Sequence, residues 1–207
     1  MVRCGHQNAN YRAVSGCWRS DAGHGRVFRA LGLMTQPKTR TLWLIRHAKA
    51  VNPAFAQRDF DRELAPRGQA DVDNLVAYCM AHDMAAASWL WVSPAARTQQ
   101  TAAPLAQLWR SQVIDEASLY LADSYTLLNC LQGTPKSEAC VGIIGHNPGI
   151  SDLLHLLQQS ETGAASFEEL PTLGAACLTF AGSWQDLAPN ICTLTSYLIP
   201  KRIREKR

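Results

Sequence analysis

The stretch at residues 41–50 reads TLWLIRHAKA and is the most informative in the chain. Four large apolar residues, from Leu42 to Ile45, form a run of the length and composition expected of a strand buried on both faces. The run ends at Arg46 and His47, and open α/β sheets place ligand-binding residues at the carboxyl ends of their strands. The pair predicts an anion site beside a nucleophile or a general base. Taken alone, a surface charge beside a hydrogen-bonded structural histidine explains it equally well.

The composition is that of one globular domain. The chain has 207 residues, 47% of them hydrophobic and 18% charged, which is enough for a core of two or three layers. No apolar run approaches the roughly 20 residues that a membrane span needs, so we expect no membrane association. Scattered cysteines without CxxC or metal-ligand spacing favour reduced thiols in a cytoplasmic protein and no structural metal site. The seven cysteines are at positions 4, 17, 79, 130, 140, 177 and 192.

The net charge of +3 comes from the two ends of the chain. Residues 1–40 hold seven basic residues and one acid, and residues 201–207 hold five and one. Residues 41–200, by contrast, hold eight basic residues and fifteen acids, and an acidic domain argues against nucleic-acid binding. The basic run at residues 201–207 could contact RNA or an anionic membrane surface, but a solvated, frayed tail is the simpler interpretation.

Residues 1–40 show neither a strand period nor a helix period and are rich in Gly, Arg, Ser, Asn and Ala. We interpret them as a disordered, dispensable extension. Two alternatives stay open, namely an arginine-rich targeting segment and a true start at Met34. The folded domain is therefore expected to span residues 41–200, followed by the basic tail.

Apolar runs alternate with amphipathic segments along the expected domain. The predicted strands are at residues 41–46, 89–92, within 111–120, 139–144, 175–180 and 192–199. The predicted helices begin at or near Pro66, Ser93, Asp123 and Ile150. The last two strands are expected to be antiparallel neighbours. The alternation predicts an α/β fold with three layers, α/β/α, around a mostly parallel sheet.

Three predicted strand ends carry polar side chains. Arg46 and His47 follow the first strand, Arg97 lies in the first turn of the helix after the second, and His146 follows the strand at 139–144. Because the carboxyl ends of parallel strands share one edge of a sheet, these side chains should converge. Two arginines and two histidines suit a tetrahedral dianion such as phosphate. One histidine can attack phosphorus while the other donates hydrogen bonds to the oxygens, and we expect no metal or cofactor.

The segments around these residues resemble the histidine phosphatase superfamily, also called phosphoglycerate mutase-like, and within it the small SixA-type phosphohistidine phosphatases. The resemblance covers roughly residues 40–198 and rests on four motifs in the family's order. The matching segments are LIRHA at 44–48 (family signature RHG), FDREL with Arg-Gly at 60–68 (D-x-x-R-x-L-t-x-x-G), SPAARTQQT at 93–101 (S-P-x-x-R-x-x-Q-T) and GHNPG at 145–149.

The resemblance implies a phosphoglycerate mutase-like fold, metal-free chemistry without a cofactor, and divided roles for the four residues. His47 would be the catalytic nucleophile that becomes phosphohistidine. Arg46, Arg97 and His146 would hold the phosphoryl oxygens. Arg62 matches a motif position and is a further candidate for substrate binding.

Three positions have a second interpretation or depart from the family pattern. Arg62 could instead anchor Asp59 or Asp61 structurally. Ala48 stands where the family usually has glycine, and would be strained if a positive φ were needed there. Larger relatives place a glutamate general acid at the position of Leu121, and an imidazole leaving group needs less acid assistance than an alkoxide. The missing acid therefore favours phosphoramidates over alkyl phosphate esters.

The spacing of 49 positions between Arg97 and His146 leaves no room for a cap domain, and an open site suits a phosphate displayed on a protein surface. We therefore predict a monomeric phosphatase that dephosphorylates phosphohistidine on proteins. Two alternatives stay open: a phosphatase of small phosphate esters or anhydrides, and a weakly active phospho-ligand-binding module on the same fold.

Overall fold

The structure is a computed structural model that describes residues 38–56, 58–159 and 169–205. Most of the predicted extension at residues 1–40, the alternative start at Met34 and the last two residues lie outside the described residues. The described chain forms a six-stranded sheet flanked by helices. The strands are β1 (Thr39–Arg46), β2 (Trp89–Val92), β3 (Gln112–Asp115), β4 (Cys140–Gly145), β5 (Ala175–Ala181) and β6 (Thr193–Leu198). The helices are α1 (Pro66–Ala81), α2 (Ala96–Trp109), α3 (Ser124–Gln132), α4 (Gly149–Leu157) and α5 (Pro200–Glu205).

The strands lie in the order β3-β2-β4-β1-β5-β6. Strands β1 to β4 pair in parallel, whereas β5 is antiparallel to both of its neighbours, β1 and β6. The predicted α/β class and mostly parallel sheet are confirmed, as is the antiparallel pairing of the last two strands. Between α2 and β4 the described chain holds only β3, a 3₁₀ turn at Ala117–Leu119 and α3, so no cap domain is inserted there.

Strand β1 divides the apolar core in two. Leu42 and Leu44 pack in the core that contains α3 and α4, whereas Trp43 and Ile45 pack in the core that contains α1, α2 and α5. This alternation follows from the two-residue period of a strand. All four side chains are at most 1% exposed, so both faces of β1 are buried. The result is the three-layer α/β/α arrangement that the apolar run predicts.

The prediction of a frayed C-terminal tail is wrong for residues 201–205. These residues belong to α5, where Ile203 is only 2% exposed and joins the core formed with α1 and α2. Arg204 forms an ion pair with Asp71 of α1. One apolar residue within a basic run shows no periodicity, which is why the pattern indicated a solvated segment.

Among the described residues, no helix combines the length and the apolar character needed to cross a membrane.

Candidate active site

The carboxyl ends of β2, β4 and β1 lie side by side at one edge of the sheet. Arg46 at the end of β1 pairs in register with Gly145, and Val92 at the end of β2 pairs with Ile144. Because all three strands are parallel, the residues that follow them emerge at the same edge. Those residues are His47 after β1, Ser93 after β2 and His146 after β4.

The structure brings the predicted residues together at this edge. The ring centroids of His47 and His146 are 5.2 Å apart. Arg97, in the first turn of α2, places Nη2 3.3 Å from Nδ1 of His146. Arg46 immediately precedes His47, and its charge acts on both imidazoles. Four residues from three distant segments of the sequence therefore form one cationic, imidazole-containing cluster.

His47 is held in a single tautomer. Its Nδ1–H donates to the carbonyl of Ala48 at 2.8 Å, which leaves a lone pair on Nε2. Burial lowers the pKa of His47 to about 4, and the nearby charges of Arg97 and Arg46 act in the same direction, against the Ala48 hydrogen bond. The imidazole is consequently neutral at pH 7, with a free lone pair of the kind that a nucleophile requires.

Ala48, where the family usually has glycine, is accommodated without backbone strain. Its φ is not in the left-handed region, and its methyl group is fully buried in the core beside α1 and α2. The Ala48 N–H donates to the hydroxyl of Thr101 at 3.0 Å, and that hydroxyl donates to the carbonyl of Arg97. Thr101 thereby ties the loop that carries His47 to the helix that carries Arg97.

His146 is 3% exposed and is contacted on both ring nitrogens. Because a guanidinium can only donate, Arg97 donates to Nδ1, and the proton on Nε2 is then directed at the hydroxyl of Ser93, 2.8 Å away. Burial lowers the pKa of His146 to about 3, helped by His47 and Arg97 and opposed by Asp59. The second imidazole is therefore neutral as well.

Arg97 is buried, at 3% exposure, and is engaged by an acid of the protein itself. Its Nη1 donates to the carbonyl of Asp59 at 2.6 Å, and its Nη2 donates to the Asp59 carboxylate at 2.9 Å. The Tyr120 hydroxyl donates to the same carboxylate oxygen at 2.8 Å. The Arg62 hydrogen bond, supported by Tyr120 and Arg97, holds the pKa of Asp59 well below its usual range. Asp59 is thus an ionised carboxylate at neutral pH.

Arg62 has the contacts of an anchoring residue. Its Nη1 bonds to Asp59 at 2.8 Å, while Nε and Nη2 both donate to the carbonyl of Val51. The anchored acid is Asp59 and not Asp61, which pairs with Arg58 on the surface. The positive charge of Arg62 still contributes to lowering the pKa of His47, which places it near the cluster.

Arg46 is positioned by a backbone carbonyl. Its Nη1 donates to Leu170 at 2.7 Å, whereas its Nε is buried and has no hydrogen-bond partner among the described residues. The side chain of Asn147 donates to the same Leu170 carbonyl at 3.1 Å, and Ser151 donates to Asn147 and accepts from the Leu170 N–H. The GHNPG segment therefore also sets the position of Arg46. A buried guanidinium N–H without a partner is a donor available to an anion.

The sequence model of the histidine phosphatase superfamily (branch 1) matches residues 42–120. The uncharacterized protein MT1313 of Mycobacterium tuberculosis is 30% identical over 162 residues, which are 76% of this chain and all of that protein. The chain belongs to the histidine phosphatase superfamily.

Solved structures of this superfamily match the fold as well. One is a proposed phosphohistidine phosphatase SixA from Nakamurella multipartitia, with a TM-score of 0.71 and 28% identity over 80% of this chain and 98% of that one. Another is a proposed phosphohistidine phosphatase SixA from Agrobacterium tumefaciens, with a TM-score of 0.66 and 26% identity over 78% and 98%. The phosphoglycerate mutase-like fold expected from the motifs is confirmed.

Leu121 occupies the position at which the larger relatives are expected to carry their general acid, and it is not an acidic residue. Leu121 is 57% exposed and carries no proton to give. The two carboxylates nearest to it in sequence have structural roles, since Glu116 caps the 3₁₀ turn at Ala117–Leu119 and Asp123 caps α3. A further carboxylate, Glu169, accepts a hydrogen bond from Asn147 and acts electrostatically on Arg46.

Sequence reasoning missed the partners of the cluster. Asp59 lies just before the segment at 60–68, at the position of the first Asp of the D-x-x-R motif, and the sequence indicates it only as a possible anchor point for Arg62. Tyr120 has no motif of its own, yet its ring lies edge-on to His146 with centroids 5.4 Å apart. The sequence places Ser93 at the start of a predicted helix, whereas α2 begins at Ala96 and the Ser93 hydroxyl contacts His146. Asp59 could have been found from the uncompensated positive charge of the predicted cluster, because a buried arginine needs an acid or an anion beside it.

Proposed function

We propose that this histidine phosphatase is a metal-independent enzyme that works through a phosphohistidine intermediate on His47, and that its substrate is phosphohistidine on proteins. The observation that carries the proposal is the tautomer of His47. Its Nδ1–H bond to Ala48 leaves Nε2 unprotonated, next to the guanidinium groups of Arg46 and Arg97. A neutral nucleophile beside two cations suits attack on a phosphoryl dianion, which a bare carboxylate would repel.

In the proposed reaction, Arg46, Arg97 and His146 hold the phosphoryl oxygens and Arg62 contributes positive charge. Nε2 of His47 attacks phosphorus, and the bond from phosphorus to the leaving nitrogen breaks with its electron pair on that nitrogen. The leaving imidazole carries a proton on its other ring nitrogen and departs neutral. Water then attacks phosphorus and loses a proton to solvent, and the bond from phosphorus to Nε2 breaks with its electron pair on Nε2, which releases inorganic phosphate and returns His47 to its neutral form. The charge that develops on the oxygens is stabilised by donors already in place.

His146 can donate to a phosphoryl oxygen through a change of tautomer. When the substrate takes over the contact with Arg97, the His146 proton can move to Nδ1. The Ser93 hydroxyl then donates to Nε2 instead of accepting from it, so the 2.8 Å contact is kept. Ser93 thus supports either tautomer and keeps the ring in place.

The state of the acids supports a phosphoramidate substrate. Asp59 contacts the proposed phosphate ligand Arg97, but three donors keep it ionised, so it is a poor proton donor at neutral pH. Leu121 offers no alternative. An imidazole leaving group tolerates weak acid assistance better than an alkoxide does, which favours phosphohistidine over alkyl esters. We propose that the enzyme acts as a monomer in the cytoplasm, where phosphorylated proteins of this kind would be met.

The test is a comparison of substrates under identical conditions. A peptide that carries one phosphohistidine and the same peptide with phosphoserine, an alkyl phosphate ester, at that position are each followed by the release of inorganic phosphate. We expect kcat/KM to be higher for the phosphohistidine peptide by at least about tenfold, because an imidazole leaving group needs less acid assistance than an alkoxide. Equal or faster turnover of the alkyl ester would assign the enzyme to phosphate esters. Binding of phosphate without turnover of either substrate would assign it to phospho-ligand binding.

A further inference from the structure

A cavity of about 280 Å³ lies close to the proposed active site. It is lined by the segment that follows β1, by the start of α1, by residues 171–172 and by α5. Lys49 lines this cavity and follows His47 by two positions, so their Cα atoms are at most about 7 Å apart. The cavity is therefore close to the phosphoryl site, although it contains none of the four residues proposed to act there.

The two sites share a wall. At one end of this wall, the carbonyl of Leu170 accepts from Arg46 at 2.7 Å. At the other end, the N–H of Leu173 donates to the carbonyl of His47 at 3.1 Å. Residues 171–172, which lie between these two anchors, face the cavity. A polypeptide with its phosphorylated residue at His47 would consequently pass within reach of the cavity.

The cavity is strongly basic. Four cations line it, and Asp71 is the single acid among its lining residues. Asp71 is buried and already paired with Arg204, and Arg67 lies 3.8 Å from it. Lys49 and Lys201 are exposed and have no carboxylate partner among the described residues. The lining therefore carries a net charge of +3 at neutral pH, with two ammonium groups uncompensated.

The two cations at the C-terminal end, Lys201 and Arg204, lie on a helix that is packed against the domain. Ile203 anchors α5 in the core, and the Arg204–Asp71 ion pair fastens the same helix to α1. Lys201 of α5 and Lys49 of the segment after β1 both line the cavity. Two cations of the basic C-terminal run, Lys201 and Arg204, thus belong to the lining of a cavity formed by the fold.

The size of the cavity selects the ligand. Pockets for whole small molecules are about 300–1,000 Å³, so 280 Å³ suits one or two charged groups better than a nucleotide. We propose that this cavity binds a carboxylate side chain of the substrate, so that the enzyme prefers phosphohistidine flanked by acidic residues. The proposal rests on the proposed function, because it concerns residues next to the phosphorylated histidine.

The experiment uses two peptides that each carry one phosphohistidine. In the first peptide the flanking residues are Asp and Glu, and in the second they are Asn and Gln, so only charge differs. We expect the wild-type kcat/KM to be roughly threefold to tenfold higher for the acidic peptide, and the ratio to shrink at high salt. The readout is the ratio of the two peptides within each variant, which cancels any general change in activity.

The variant Lys49→Gln/Lys201→Gln is expected to bring the ratio close to one. Its matched control is Lys38→Gln/Lys136→Gln, which removes the same two charges from exposed lysines that precede β1 and β4, away from the cavity, and should keep the wild-type ratio. Equal turnover of both peptides by the wild type, or an unchanged ratio in the double variant, would overturn the proposal while leaving the phosphohistidine activity in place. If neither peptide is hydrolysed but an aryl phosphate is, the proposed function itself fails and this inference falls with it.

Discussion

The two arginines of the site stand in different electrostatic surroundings. Arg97 is paired with the carboxylate and carbonyl of Asp59, and Tyr120 completes the hydrogen bonds of that carboxylate. Among the described residues, Arg46 donates a hydrogen bond only to the Leu170 carbonyl, keeps a buried Nε–H without a partner, and interacts with Glu169 electrostatically but without an ion pair. Arg97 is thus in direct contact with a carboxylate of the protein, whereas Arg46 has a donor that is not used.

The difference indicates how the site divides its work. The Asp59 carboxylate neutralises the charge of Arg97 and fixes the orientation of its guanidinium group. A phosphoryl group that binds Arg97 must therefore share this guanidinium with Asp59 or displace Asp59 from it. Arg46 has a donor to offer without losing any contact, and it adjoins the nucleophile. We therefore expect Arg46 to supply affinity for the phosphoryl group, and the Arg97–Asp59 half to supply orientation.

The largest effect on activity is expected from His47→Ala, which removes the nucleophilic Nε2. Loss of a covalent nucleophile should lower kcat/KM by about 10³-fold or more, measured as phosphate release from an aryl ester. His82→Ala is a matched control, since it removes an exposed imidazole at the end of α1. Residual activity above a few per cent in the His47 variant would mean that another group attacks phosphorus.

Double-mutant cycles measure how strongly Arg46 and Arg97 are each coupled to Asp59. Arg46→Gln and Arg97→Gln should each lower kcat/KM by about 10²-fold or more, as removal of a preorganised donor does. Combined with Asp59→Asn, the Arg97 variant should show a coupling energy of about 1 kcal/mol or more, because the two residues touch. The Arg46 variant, which does not contact Asp59, should be additive with it within about 0.5 kcal/mol. Equal coupling for both arginines would remove the distinction between the halves.

The pH dependence follows from the two imidazoles. The pKa of His47 is lowered to about 4 and that of His146 to about 3, so between these values and about 6.5 the unfolded chain binds more protons than the folded one. Stability therefore rises with pH in this window and is lost as pH falls, by roughly 3 kcal/mol for His47 and roughly 4 kcal/mol for His146 between pH 6.5 and pH 3. The lowered pKa of Asp59 acts in the same direction at the acid end.

This pH dependence is checked by urea unfolding at a series of pH values and by NMR titration of the imidazole signals. The signals lost in His47→Asn and in His146→Asn should titrate well below pH 6. Titration of either near pH 6.5 would contradict the lowering of its pKa by burial, and titration of His47 above pH 7 would contradict the neutral nucleophile.

Asp59→Asn tests whether the protein's own acid competes with the substrate. Removing its charge frees Arg97, so inorganic phosphate should inhibit roughly fivefold more strongly. Asp61→Asn removes one negative charge from the neighbouring carboxylate that pairs with Arg58 on the surface. This change should leave the inhibition constant for phosphate unchanged. Weaker inhibition in Asp59→Asn would show that the carboxylate supports anion binding and does not oppose it.

The smallest effect is expected from Ala48→Gly, which restores the residue usual in the family. The Ala48 backbone is not in the left-handed region and its methyl group is fully buried. The change should therefore lower the free energy of unfolding by about 1 kcal/mol and leave kcat within about twofold. A large gain in kcat would mean that the methyl group obstructs the phosphate.

The fold could be predicted because its signals are local and strong. The apolar run before Arg46 required burial on both faces, and the alternation of such runs with amphipathic segments left a parallel sheet as the simplest solution. The same logic placed Arg46, His47, Arg97 and His146 at one edge, since strand ends in a parallel sheet coincide. The structure brings these four together.

The contacts around the cluster could not be predicted in the same way. Asp59 reaches Arg97 across 38 positions through a 3₁₀ turn at Asp59–Asp61 that carries no periodic signal. Helix α5 could not be predicted from the basic C-terminal run, because it is held by a single buried isoleucine and one ion pair with Asp71. Both unpredicted features involve a long-range pairing of charges, which depends on the finished fold and not on the local sequence pattern.

The central claim, transfer of the phosphoryl group to Nε2 of His47, is tested most directly by trapping the intermediate. The enzyme is mixed with a phosphohistidine peptide labelled in its phosphate, quenched in alkali within milliseconds, and digested for mass spectrometry. We expect an acid-labile, alkali-stable phosphate on the peptide that contains His47, formed in the wild type and absent in His47→Ala. Full turnover without label on the enzyme, or label on any other residue, would contradict it.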